Sequence, residues 1–76
     1  MAGRRGSVPD RLQILSDRQL AVFSLIAGGN GIGRIAQELG VSRKTIETHC
    51  EHIKDKLGYA NAEELRRGAR DWLGHS

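Results

Sequence analysis

The run from Val41 to Gly58, VSRKTIETHCEHIKDKLG, constrains this chain more than any other part of it. No Gly or Pro interrupts it before its last residue. At about 100° per residue, Ile46, Cys50, Ile53 and Leu57 fall on one side of a helix. That is the i, i+4, i+7, i+11 stripe of a helix buried along one face. Lys44, Glu47, Thr48, Glu51 and Asp55 fall on the other side, with Arg43 and Lys54 at the margins. Ser42 is placed to accept a free backbone N–H of the first turn. Gly58 is placed to end the last turn in the left-handed conformation. The expectation is one long amphipathic helix over 42–57 with two unlike faces.

The outward face begins with two cations, Arg43 and Lys44, beside the free N–H groups of the helix start. That end of a helix attracts anions, so cations there weaken the helix slightly unless an anion arrives. A phosphate is the obvious candidate. The plain alternative is that both are solubilising charges.

A chain of 76 residues allows one domain with a small core, for which association with a second copy would add stability. The single cysteine excludes an internal disulfide and fits a reducing cytoplasm. No apolar run approaches the ~20 residues of a membrane span, and there is no secretory apolar segment. A net charge of +3 and a pI near 9.6 are compatible with nucleic acid but weaker than a basic tail. Phe23, Tyr59 and Trp72 are the only aromatics, too few for a surface that stacks single-stranded bases.

Residues 1–14 read as a flexible linker or lead, with two glycines, the only proline and three arginines within MAGRRGSVPDR. A basic arm touching DNA is the other reading. Ser16 with Gln19 has capping-box spacing, and Leu15 sits at the staple position of a helix over 16–27. Gly28 and Gly29 stop that helix. A turn over 30–33 leads to a second helix, 32–39, with Ile35, Ala36 and Leu39 inward and Gly40 as terminator. Two helices joined by a short turn containing Gly are the signature of a helix-turn-helix. Asn61 and Glu64 open a fourth helix, 61–73, with Ala62, Leu65, Ala69, Trp72 and Leu73 as its apolar stripe and Gly74 as its end. That stripe is wide enough for part of it to meet a second copy.

By these residues the chain resembles the LuxR-type (FixJ/NarL/GerE) DNA-binding domain. The resemblance covers 15–73 and rests on Leu15-Ser16-x-Arg18, Ile35-Ala36-x-x-Leu39, Ser42-x-Lys44-Thr45-Ile46, His49, Lys56-Leu57-Gly58, and Asn61 with Glu64-Leu65. It implies an all-α fold, a four-helix bundle whose second and third helices form the helix-turn-helix. It implies a third helix in the major groove and a fourth that contacts a second copy through Leu65, Ala69, Trp72 and Leu73. It implies a bacterial transcription regulator, usually the output domain of a two-component response regulator, with a receiver or sensor domain upstream and RNA polymerase as a further partner. The location would be the cytoplasm, at the nucleoid.

Residue by residue, Lys44 and Thr45 match the family's phosphate-contacting pair, and Glu47, Thr48 and Glu51 match its base-reading positions. Several members carry lysine at 47 and 51, so glutamate at 51 weakens that assignment. Gln19 stands where glutamate is usual. Gly31 and Gly33 stand where a serine cap and a lysine are common, so the second helix is expected to start late or fray; glycine costs about 1 kcal/mol in a helix.

Glu47 can accept from cytosine N4, and the Thr48 methyl can meet a thymine methyl. Arg34, Arg43, Lys44, Thr45 and Lys54 are the phosphate candidates, contacts that supply affinity without sequence information. Surface pairing of Glu47 and Glu51 with neighbouring lysines is the competing reading, of little energetic weight.

His49, Cys50 and His52 form a single cluster, whereas a structural zinc site draws four ligands from two separated pairs. No metal or cofactor is expected, and Cys50 reads as a small core residue. Gly31-Ile32-Gly33-Arg34-Ile35-Ala36 matches a relaxed dinucleotide fingerprint but lacks the strand that motif requires. Nothing resembles a catalytic constellation, so an enzyme is not expected. The reading is sequence-specific binding of double-stranded DNA as a dimer. The alternatives are a protein-interaction or dimerisation module with weak DNA affinity, or a domain like sigma-factor region four.

Overall fold

The computed structural model describes residues 10–75, with side chains described over 12–74. A 3-10 turn, Asp10–Ile14, precedes four helices: α1 (Asp17–Ala27), α2 (Ile32–Leu39), α3 (Arg43–Leu57) and α4 (Ala62–His75). The fold is all-α, with α4 laid chiefly along α1 and α2 along α3. No helix among the described residues is long and apolar enough to cross a membrane.

Local chemistry explains most of the boundaries. At α1, Ser16 Oγ accepts from Gln19 N at 3.1 Å, and Ser16 N donates to Gln19 Oε1 at 3.0 Å, a complete capping box. Its far end closes on Asn30, whose backbone N and side-chain Nδ2 both donate to the Leu25 carbonyl, at 3.2 and 2.8 Å. The chain reverses there through Gly29 at φ +90°. α2 ends in a left-handed Gly40, with Val41 N reaching back to Ala36 O at 3.0 Å. α3 opens on Ser42, which accepts from Thr45 N at 3.1 Å, and closes on left-handed Gly58. α4 opens on Asn61, which accepts from Glu64 N at 2.9 Å, while Ala60 N donates to the Glu64 carboxylate at 2.8 Å.

These ends set four apolar stripes against one another. Val22, Phe23, Ile35, Ile46, Ile53 and Leu65 are fully enclosed, one or two from each helix. Phe23 and Trp72 stack tilted, with ring centroids 5.4 Å apart, tying α1 to the last turns of α4. Such a pair adds about 0.5–1.5 kcal/mol beyond its buried area. Tyr59 lies across Gly68, its hydroxyl and ring filling the space a Cβ would occupy. That close approach accounts for a glycine in the middle of α4, where any side chain would displace the ring.

Three sequence expectations need correction. The lead expected over 1–14 falls outside the described residues up to 9, but Asp10–Ile14 is an ordered turn with Leu12 only 3% exposed in the core. Its anchor comes from far along the chain: Lys56 Nζ donates to the Ile14 carbonyl at 3.1 Å and to Gln19 Oε1 at 2.8 Å. α2 does not start late; it begins at Ile32, although Gly31 offers no side-chain cap. Ile35 and Ala36, both buried, hold the short helix by packing instead. Gly74 does not end α4, which continues to His75 without a left-handed residue there.

Candidate nucleic-acid interface

The helix-turn-helix presents α3 by its outer face. Ser42, Arg43, Lys44, Glu47, Thr48 and Glu51 are exposed, while Ile46, Cys50, Ile53 and Leu57 are buried on the opposite side. One continuous helix therefore serves the core and offers a polar surface, as the 3.6-residue period requires. Among the described residues neither Arg43 nor Lys44 pairs with a carboxylate. Thr45 is half-buried, with its hydroxyl 3.0 Å from Ser42 Oγ. The start of α3 is thus a capped turn carrying two uncommitted cations. Glu47 and Thr48 follow one turn further along the same surface.

Other site candidates are engaged. Lys54 Nζ lies 2.7 Å from Glu51 Oε2, and its side chain is only 17% exposed against 67% for the glutamate. The lysine stem packs along the domain while its ammonium meets the exposed carboxylate, so Glu51 and Lys54 come together as a pair within α3. Arg34 lies on the exposed side of α2 with its Nε 3.9 Å from Glu38, an i, i+4 contact between exposed groups that carries little energy.

The expected dimer stripe divides. Leu65 at 2% and Ala69 at 0% exposure lie in the protomer's own core, so neither can meet a second copy without opening the domain. Trp72 is half-buried against Phe23. Leu73, at 50% exposure, is the apolar residue of the stripe that remains outside. α4 lies flush on α1, and this tight packing closes a stripe that the sequence leaves wide.

Among the described residues no three or more His, Cys, Asp or Glu gather as a metal site. Burial pushes the Cys50 thiol up, only partly offset by the nearby Lys54 ammonium, so the neutral thiol behaves as core. His49 is half-buried with an unpartnered Nδ1, and His52 is exposed.

Sequence reasoning missed a second charged surface. Arg66, Arg67 and Arg70 of α4 line a concavity of about 610 Å³ against the α1–α2 turn. Their i, i+1, i+4 spacing was visible, but nothing in the sequence shows what they face.

With this geometry in place, comparison with known proteins is specific. Residues 13–69 match the family described as "Bacterial regulatory proteins, luxR family". The chain is similar to "Oxygen regulatory protein NreC" of Staphylococcus aureus strains JH9, JH1 and Mu3 / ATCC 700698. Each is 48% identical over 56 residues, covering 74% of this chain and 26% of the relative. The chain therefore spans about a quarter of the length of the curated relatives it matches. No solved structure matches it. A LuxR-type domain binds DNA and is not an enzyme. The residues of the capped helices and the matched span agree: this chain belongs to the LuxR family of bacterial regulatory proteins, as a helix-turn-helix DNA-binding domain of transcription regulation.

Proposed function

We propose that this domain is the output domain of a two-component response regulator and binds specific duplex sites with α3 in the major groove. The observation that carries the reading is the outer face of α3. Arg43 and Lys44 stand uncommitted at a capped helix start, with Glu47 and Thr48 exposed one turn on. In this reading Arg43, Lys44 and Thr45 hold phosphates, and Arg34 contributes from α2 once it releases Glu38. Glu47 accepts from a cytosine amino group, and Thr48 packs on a thymine methyl. Glu51 and Lys54 act as one pair, which limits how far either reaches a base or a phosphate.

Binding is as a dimer on two half-sites near one helical turn apart, as two-fold symmetry requires of such a domain. The second copy meets α4 through the exposed Leu73 and the outer edge of Trp72. A receiver or sensor domain upstream, RNA polymerase as a further partner, and a place at the bacterial nucleoid in the cytoplasm complete the proposal. Similarity to the oxygen regulatory protein NreC supports the response-regulator assignment.

An amide-NMR titration with a mixed-sequence duplex at about 50 and 200 mM salt tests it, since phosphate-driven binding falls steeply over that range. Shifts should cluster from Arg43 to Glu51 at low salt and shrink at high salt. Shifts confined to the 65–73 segment, growing with protein concentration and indifferent to DNA, would instead make this an interaction module.

A further inference from the structure

We infer that Arg66, Arg67 and Arg70 form a second cationic wall that receives the phosphodiester backbone of the same duplex, beside the segment read by α3. This inference rests on the DNA-binding reading above. Beyond Arg43 and Lys44 in its first turn, α3 is poorly supplied with cations for a helix in a polyanion's groove. Its outer face carries Glu47, Glu51 and Asp55, and Lys54 is taken by Glu51. Phosphate neutralisation supplies most of the general affinity of such proteins, so charge must enter from elsewhere.

α4 supplies it in one place. Arg66, Arg67 and Arg70 are exposed and line one concavity, with Glu63 as its only lining carboxylate. Glu63 lies 3.6 Å from Arg67. Among the described residues neither Arg66 nor Arg70 has an ion-pair partner. The opposite wall is the α1–α2 turn with Asn30 and Gly31. Gly31 has nothing within 4 Å of where a Cβ would stand, so that side of the concavity is open to a sugar-phosphate strand.

The concavity is continuous with the α3 surface. Arg66, Asn30 and Gly31 also border an adjoining groove of about 220 Å³ whose far side is Glu47, Glu51 and Lys54. Arg66 is close enough to act electrostatically on Cys50 of α3, as Glu47 and Glu51 do. A duplex seated on Glu47 and Thr48 thus has the arginine wall at its margin. The charge complements a backbone, and the exposed forks of arginine suit phosphate oxygens.

The test is fluorescence anisotropy of the 76-residue chain on two unrelated duplexes, with salt varied from about 50 to 200 mM. Each phosphate contact contributes about 0.9 to the slope of log affinity against log salt. Arg66→Gln/Arg70→Gln should lower that slope by about 2 and weaken both duplexes by the same factor. Arg66→Lys/Arg70→Lys, which keeps both charges, should restore the slope. Both side chains are exposed, so the glutamine variant should keep the wild-type melting temperature. If it does not, Arg66→Gln and Arg70→Gln singly should each lower the slope by about 1. A slope unchanged in the arginine variants but reduced by Lys44→Ala overturns the arginine wall and leaves α3 as the DNA face. A wild-type chain that binds neither duplex at low salt overturns both.

Discussion

α2 and α3 are the two arms of one helix-turn-helix, yet they start by opposite means. α3 begins on Ser42, whose hydroxyl takes the Thr45 N–H. α2 begins on Gly31, which takes none, and carries a second glycine, Gly33, in its first turn. α3 extends over Arg43–Leu57 and has local chemistry at both ends. α2, over Ile32–Leu39, has a strong stop at Gly40 and a weak start. An isolated helix as short as α2 has no stability in water. Its position therefore comes from Ile35 and Ala36 packing inward and from the tight reversal at Gly40. The arm that presents a surface is fixed locally; the arm behind it is fixed by the core.

The largest test of that contrast lies in the core. Ile35 and Ile46 are both 0% exposed, one from each arm. Ile35→Ala and Ile46→Ala should each cost about 2–5 kcal/mol by urea denaturation. An Ile35→Ala variant that loses less than about 1 kcal/mol would mean that packing does not hold α2.

Next in size is the cap. Ser42→Ala should destabilise the domain by about 1 kcal/mol, and Ser42→Gly by only a few tenths of that unit. A loss from Ser42→Ala within error of zero would remove local capping from the account of α3.

Gly33→Ala works in the other direction. Gly33 has open space around its Cβ position and no left-handed backbone, so alanine fits. The gain should be about 0.8–1 kcal/mol, read by calorimetry as a rise of roughly 4–8 °C in Tm per kcal/mol. A fall in Tm would show that the start of α2 needs its glycine.

The smallest effect should come from Gly31→Ser, which adds the missing cap and gains a few tenths of a kcal/mol. Amide hydrogen exchange in the first turn of α2 should slow with it. Unchanged exchange there would mean that the turn is already held as firmly as that of α3.

The same contrast explains what was legible in the sequence. Ser16 with Gln19, Ser42, Asn61 with Glu64, and the closing Gly40 and Gly58 act on neighbours three or four residues away. Helix limits and inward stripes followed from them closely, as did the polar outer face of α3. Partners distant in sequence were not legible. Lys56 reaching Ile14 and Gln19, and Tyr59 lying over Gly68, depend on where the helices come to rest.

The candidate site divides along the same line. Lys44, Glu47 and Thr48 could be placed outward from periodicity alone, with Arg43 at the margin, because a helix repeats its faces whatever it packs against. Periodicity also marked Leu65 and Ala69 as apolar, but their enclosure against α1, rather than exposure to a second copy, required the packed structure. The sequence by itself determined the four helices and which side of each is apolar, since capping and period act within one turn of backbone. Only the tertiary structure decided which apolar residues remain outside, that Lys56 reaches Ile14 and Gln19, and that three arginines of α4 face the turn before α2. Those outcomes depend on the distance and angle between helices, which no local interaction encodes.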